Sequence, residues 1–282
     1  MTSKRRRLFK GHDWEIASAV DTHMHLWHQR FDLPEAFGRS PVGYSLQEYR
    51  ESVRSLPIDK AVLIRAALPA SQYGAESRRL AQLCRTAGFP SAEIGYLDPD
   101  GCLEESAAEE VKNPLFRGVR LLAPLDYTSY KGRRFLGVLE ELQLVYDVVC
   151  HARSMPLIAQ AASEFSQLQF VIEHAGWPES ASDYARWREE MSKLARLDNV
   201  ACKISGLPMA FGTASRDALA PWVTSCLKLY GSDRCMFGSN MPVDRLVAPL
   251  HTIFSTYYYL AAESKADMDA VFRRTAERIY RV

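Results

Sequence analysis

Leu168-Gln169-Phe170-Val171-Ile172-Glu173-His174, followed by Ala175-Gly176-Trp177-Pro178, is one beat of a rhythm that recurs along this chain. The run is short and apolar, as a strand buried on both faces requires. It ends on polar residues, breaks at Gly and Pro, and gives way to an amphipathic helical pattern from Tyr184 to Leu197. Upstream, the same strand-like beat is found at Ser18–Asp21, Lys60–Arg65, Glu93–Leu97, Phe116–Leu122 and Tyr146–His151. Downstream it returns at Asn199–Ser205 and Arg234–Ser239. Helical patterns fill the intervals. Ser45 and Glu48 form a capping box for a helix through Ser55, and Ala75–Ala87 stops at Gly88. Further helices are expected at Leu103–Glu110, Phe135–Leu142, Met155–Phe165 and Arg216–Tyr230, with two more at Leu246–Ala262 and Lys265–Ile279.

Eight such beats in 282 residues match the roughly 250 residues of a (β/α)8 barrel. A doubly wound open sheet shares the alternation, but the count and the polar residues at strand C-terminal ends favour closure. The expected fold class is therefore α/β, a single-domain TIM barrel over residues 17–282 after an N-terminal extension of residues 1–16. No internal repeat, low-complexity tract or linker interrupts it.

Composition narrows the function. Hydrophobic residues make up 47% and charged residues 24%, as in an ordinary globular protein, and the net charge is +1. Neither nucleic acid nor an anionic membrane is an expected partner. The basic run Lys4-Arg5-Arg6-Arg7 reads as a solvated terminus. No apolar stretch reaches the roughly 20 residues of a membrane span, and no secretory signal follows the basic start. The expected location is the cytoplasm. The six cysteines, at 84, 102, 150, 202, 226 and 235, form no CxxC pair and read as reduced thiols. Phe254-Ser255-Thr256-Tyr257-Tyr258-Tyr259-Leu260 reads as core packing, with a homo-oligomer interface as the alternative.

The chemistry concentrates at strand ends. In Asp21-Thr22-His23-Met24-His25 the two imidazoles lie two residues apart, so an extended strand aims both at one point. Such a pair suits a first-row divalent metal or a substrate oxygen. His151 and His174 close the fifth and sixth strand runs and project to the same rim. His12, His28 and His251 lie away from strand ends and read as bystanders. Arg120 ends the fourth run and Lys203 lies inside the seventh. A cation buried in a barrel needs a partner, either a protein carboxylate such as Glu173 or Asp21 or an anionic substrate. Asn240 and Asp244 follow the eighth run.

These residues resemble a known family. Asp21-Thr22-His23-Met24-His25-Leu26-Trp27 is similar to the first-strand signature of the amidohydrolase superfamily. The similarity is closer to its amidohydrolase-2 branch, which holds sugar lactonases and 2-pyrone-4,6-dicarboxylate lactonase. It continues through Arg117-Gly118-Val119-Arg120, Phe170–Pro178, Lys203–Leu207, Met236–Val243 and Thr275–Arg281. The resemblance implies metal-binding roles for His23 and His25, with His151 and His174 matching the fifth- and sixth-strand histidines. Arg120 stands where two-metal members carry a carboxylated lysine, which implies that no two-metal site forms. Asn240 departs from the pattern. The family places an aspartate there to activate water, whereas an amide carries no charge and accepts no proton at neutral pH.

The implied activity is hydrolysis of a lactone or related cyclic ester of a small carboxylate or sugar acid by histidine-assisted water attack. His174, His151 and Asn240 are the catalytic candidates, and Arg120, His23, His25 and Lys203 the substrate-binding ones. The cofactor expectation is either none or one weakly held divalent metal, zinc before others, on His23, His25 and His151. A mononuclear metal-dependent hydrolase or decarboxylase is the alternative. A barrel that binds without catalysis is a third reading, opposed by the four retained histidines. The partner is a small-molecule substrate.

Overall fold

The computed structural model describes residues 14–30, 42–65, 79–80, 82–83 and 86–282. Most of the N-terminal extension, the middle of the Trp27–Gly43 loop and part of the expected Ala75–Ala87 helix lie outside the described residues. Among the described residues, ten strands occur in chain order. They are β1 Ala19–Met24, β2 Trp27–Arg30, β3 Val42–Tyr44, β4 Ile58–Ile64, β5 Ala92–Gly95, β6 Phe116–Leu121, β7 Val145–Val148, β8 Gln169–Ile172, β9 Val200–Ile204 and β10 Cys235–Phe237. Eight of them form one sheet in the order β1-β4-β5-β6-β7-β8-β9-β10, parallel throughout, and β2 and β3 make a separate antiparallel pair.

The sheet curls until its ends meet. Met24 bridges Met241, His25 N–H donates to the Met241 carbonyl at 2.7 Å, and Asn240 N–H donates to the His23 carbonyl at 2.8 Å. Lower in the seam, Thr22 Oγ1 donates to the Phe237 carbonyl at 2.6 Å. Asp21 is fully buried there, and its Oδ1 accepts from Ser239 N–H at 2.8 Å and His23 N–H at 3.1 Å. Tyr49, on the helix Leu46–Val53, donates to the other carboxylate oxygen at 2.8 Å. That helix begins at the Ser45/Glu48 capping box read from the sequence, with both reciprocal bonds formed.

Two layers of core follow from strand alternation. Val20, Val62, Ile64, Ala92, Ile94, Val145, Val171, Ala201 and Met236 fill the barrel interior, with Ala276, Ile279 and Tyr280 of the C-terminal helix packed against them. A larger cluster packs the outward strand faces against the helices. On strict alternation Val20 and Met24 would share a face, yet Val20 is in the inner cluster and Met24 in the outer one. The register irregularity between Asp21 and Met24 accounts for the reversal, and it turns the odd-numbered His23 and His25 inward. Phe254, Tyr257, Tyr258 and Leu260 are buried, while Tyr259 is partly exposed. Among the described residues, no helix is long and apolar enough to cross a membrane. The five described cysteines are free.

Gly118 on β6 shows how tightly the barrel is drawn. A Cβ there would lie 2.1 Å from the Val145 carbonyl oxygen, which is backbone of β7 and has no rotamer to escape into. Gly118→Ala is expected to cost about 3 kcal/mol or more, beyond the usual range for overpacking by one carbon. The check is the urea midpoint at constant slope, and a loss below about 1 kcal/mol would show that the β6–β7 spacing yields.

Candidate active site

The polar residues gather where the parallel strands end, above the apolar interior. His23 and His25 stand with ring centroids 5.0 Å apart, and His174 comes within 4.5 Å of His23. The convergence expected of the first-strand pair is therefore present, with the sixth-strand histidine joined to it. His174 does not end its strand directly. β8 stops at Ile172, and His174, Ala175, Gly176 and Trp177 all have positive φ, between 42° and 69°. Three of these are non-glycine residues, a costly conformation that persists only where surroundings enforce it. Trp187 Nε1–H donates to the Ala175 carbonyl at 2.7 Å, and a Cβ on Gly176 would strike Met155 and Met191. The turn swings His174 against Gly206, where a Cβ would lie 2.4 Å from its Nδ1.

Glu173 sits beneath the rings. Its Oε1 is 3.3 Å from His23 Nδ1 and 3.9 Å from Lys203 Nζ, and its Oε2 is 3.5 Å from Arg120 Nη1. Lys203 is fully buried and pairs with Asp147 at 2.5 Å, and Tyr280 donates to the second oxygen of Asp147 at 2.8 Å. Lys203 thus lies on the underside of the cluster, tied to a carboxylate. Burial pushes the Asp147 carboxyl up, and the Lys203 ammonium opposes it. Arg120 is at the mouth, 9% exposed, its Nη2 donating to the Arg65 carbonyl at 2.9 Å. Glu173 and Asp147 were not singled out as functional in the sequence. The available signal was a carboxylate inside an apolar strand run, which must find a partner once buried.

His25 Nδ1 lies 2.8 Å from the Ile64 carbonyl and donates to it, which leaves Nε2 bare. His174 Nδ1 meets Ser205 Oγ at 3.0 Å. Burial holds all three imidazoles well below their ordinary pKa. Arg120 and Lys203 add to the effect on each, as does His174 on its two neighbours. They are neutral and available as ligands or proton acceptors. His151 stands apart. Its side chain is 40% exposed, with Nδ1 3.7 Å from Glu179 Oε1 and its ring 5.7 Å from Trp177. β7 stops at Val148, so two residues of non-strand chain, Val149 and Cys150, carry His151 outward.

Among the described residues, the group close enough to hold a metal ion is His23, Glu173 and His174, with ligand atoms within 4.8 Å of one another. Both ring nitrogens of His23 and Oε1 of Glu173 are buried without a hydrogen-bond partner. Of the expected set, only His23 belongs to this group. The donors nevertheless fit a divalent ion, since two imidazoles and a carboxylate are a familiar zinc set. Asn240, also at positive φ, donates from Nδ2 to Asp244 Oδ1 at 2.9 Å. Burial pushes the Asp244 carboxyl up to about 8, opposed by its bond from Asn240.

A family model described as amidohydrolase matches residues 20–282. An L-fucono-1,5-lactonase from Burkholderia ambifaria is 26% identical over 240 residues, 80% of this chain and 81% of that protein. An amidohydrolase from Burkholderia multivorans, solved with bound zinc, superposes with a TM-score of 0.82 at 23% identity, over 94% of this chain and all of that one. A Pseudomonas putida protein described as a 2-pyrone-4,6-dicarboxylic acid hydrolase superposes with a TM-score of 0.75 at 21% identity, over 94% of this chain and 98% of that one.

The raised pKa of Asp244 has a consequence for stability. Between its ordinary value of 3.8 and about 8, the folded protein keeps a proton that the unfolded chain has released. This group's contribution is therefore full below pH 3.8, falls as pH rises through that window, and is level above it. Asp244→Asn removes the dependence. Urea titrations at several pH values are expected to show the variant gaining on the natural protein as pH rises, by at most about 1.4 kcal/mol per pH unit. Parallel profiles would contradict a raised pKa.

Proposed function

The chain belongs to the amidohydrolase family, and on that premise we propose that it opens the ring of a small lactone by water attack. The observation that carries this reading is the pairing of a neutral buried imidazole, His174, with a guanidinium that has donors to spare. Arg120 carries five N–H groups, and among the described residues two of them are taken up, by Glu173 and the Arg65 carbonyl. The rest serve the substrate's carbonyl or carboxylate oxygen. His23 and His25 line the same floor and bind through their bare nitrogens.

The steps balance without an external reagent. The oxygen of water bonds to the lactone carbonyl carbon while His174 takes the proton, with Ser205 holding the far side of its ring. Arg120 stabilises the negative charge that develops on the carbonyl oxygen. The bond to the ring oxygen then breaks, and the imidazolium returns its proton to that oxygen, giving a hydroxy acid. An imidazole this reluctant to stay charged gives its proton back readily. Lactones are better electrophiles than amides, so this modest activation suffices.

The test is proton release from sugar 1,5-lactones and from 2-pyrone-4,6-dicarboxylate. Turnover is expected on at least one, with His174→Ala lowering kcat by about 100-fold or more. Arg120→Met is expected to lower kcat/KM by about 10- to 100-fold. An undiminished His174→Ala enzyme would sink the proton-transfer role, and absence of turnover across the panel would sink the lactone reading.

A second reading rests on the orphaned donors of His23 and Glu173. His23, Glu173 and His174 would hold zinc, which when bound lowers the pKa of an attached water. Electrostatics makes the hold weak. Glu173 and Asp147 are already balanced by Arg120 and Lys203, and Asn240 brings no further negative charge. Protein purified without chelators is expected to carry less than one zinc per chain and to keep its lactonase activity after chelation. Asn240→Asp is expected to tighten zinc binding by 10-fold or more, about 1.4 kcal/mol, in isothermal titration. Stoichiometric zinc in the natural protein, with activity lost on its removal, would make the metal essential.

A further inference from the structure

We propose that Asp244 is a positioning residue that fixes which end of the Asn240 amide meets the substrate cavity. The inference rests on the lactone reading for what the amide does there, but not for how the amide is held. Asn240 follows β10 at φ 54°, a conformation that Asn tolerates better than most residues, and its N–H is anchored on the His23 carbonyl. Its side chain therefore begins from a fixed place beside the cluster. The Nδ2 group donates to Asp244 Oδ1 at 2.9 Å, with Met209 Sδ at 3.8 Å as a weaker second acceptor. Among the described residues, no donor meets Asn240 Oδ1.

The two ends of an amide have nearly the same shape, so packing alone does not choose between them. Hydrogen bonding does. Asp244 keeps its proton at neutral pH, and because Oδ1 accepts from the amide that proton belongs on Oδ2, so turning the amide over would set its oxygen against the accepting Oδ1 and present N–H groups to the cavity. Asp244 is wholly buried, so no solvent competes for its Oδ1. A carboxyl at position 244 thus makes the group at position 240 an acceptor toward the cavity. An acceptor there takes one hydrogen of the attacking water and turns its lone pair toward the lactone carbon, while His174 takes the other hydrogen. Asn240 performs the orienting part of a general base without accepting the proton.

The chain has three asparagines, at positions 113, 199 and 240, so selective 15N-asparagine labelling gives three side-chain amide signals. Asn240→Asp identifies the relevant one by its disappearance. In the natural protein this NH2 group is expected to exchange slowly with solvent. Asp244→Ala is expected to speed exchange at least tenfold and to shift the signal, and Asp244→Asn, which keeps an acceptor oxygen, to restore both. Asp244→Leu, which fills the same space without an acceptor, replaces the alanine variant if the latter does not fold. With a turned-over lactone, Asp244→Ala is expected to lower kcat at least tenfold with little change in KM, and Asp244→Asn to recover most of it. An Asn240 signal unaltered in shift and exchange by Asp244→Ala or Asp244→Leu overturns the proposal. If no lactone is turned over by the natural protein, the lactone reading fails while the amide measurement still decides this one.

Discussion

The seam that closes the barrel governs everything above it. A parallel sheet of eight strands has two free edges until the last segment returns to the first, and here the closure is short. One bridge between Met24 and Met241, two backbone hydrogen bonds, the Thr22 hydroxyl and the carboxylate of Asp21 hold it. The same contacts place the site, because the carbonyl of His23 and the N–H of Asn240 are one of those bonds. A buried carboxylate is costly unless every lone pair is used. Asp21 largely meets that condition, accepting from the Ser239 and His23 amides and the Tyr49 hydroxyl, although burial still raises its pKa. The charge is thus tied to three donors at once, and loss of any one leaves part of it unmatched in a buried place.

Below the histidines, the second constraint is charge balance. Glu173 and Asp147 stand against Lys203 and Arg120, the first three wholly buried and Arg120 nearly so, and each ion therefore depends on its neighbours. Tyr280 completes the set from the C-terminal helix that packs against the barrel interior, donating to Asp147 and lying under the Lys203 ammonium at 5.1 Å. The end of the chain is thereby linked to the floor of the active site through three side chains. Neutral imidazoles above a balanced floor follow from the same arrangement, because a proton on any of the three would be unmatched.

Much of this architecture was legible in the sequence. Eight short apolar runs gave eight barrel strands, and the Ser45/Glu48 cap formed as read, because both patterns are local and depend on residues a few positions apart. His23 and His25 converge because a strand has a period of two. The details that escaped depend on contacts between distant segments. The register irregularity in β1 decides which face His23 takes, and only pairing with β4 reveals it. The left-handed turn at residues 174–177 is carried by His174, Ala175 and Trp177, which ordinarily avoid that conformation, so composition gives no warning. Glu173 was legible as an ion partner for Arg120 and Lys203. Its place between His23 and His174 was not, since that depends on three strands meeting. His151 reads as a strand-end residue, but β7 is shorter than its apolar run and ends at Val148, with half-buried Val149 and buried Cys150 continuing beyond the ladder.

The balance of charge also bears on which substrates such a site favours. An amidohydrolase with an aspartate at position 240 would face its ligand with a negative charge that only a metal offsets. With an amide there, no carboxylate besides the paired Glu173 faces the ligand among the described residues, and the group at the mouth with unspent donors is the cation Arg120. An anionic or oxygen-rich ligand enters such a cavity without repulsion and satisfies donors that are otherwise left to water. An amide substrate needs stronger activation, because its carbonyl is less electrophilic and its leaving nitrogen must be protonated. Neutral imidazoles of low basicity supply little of either. The physical preference is therefore for a strained or activated ester in which the leaving oxygen stays attached to the acid it releases.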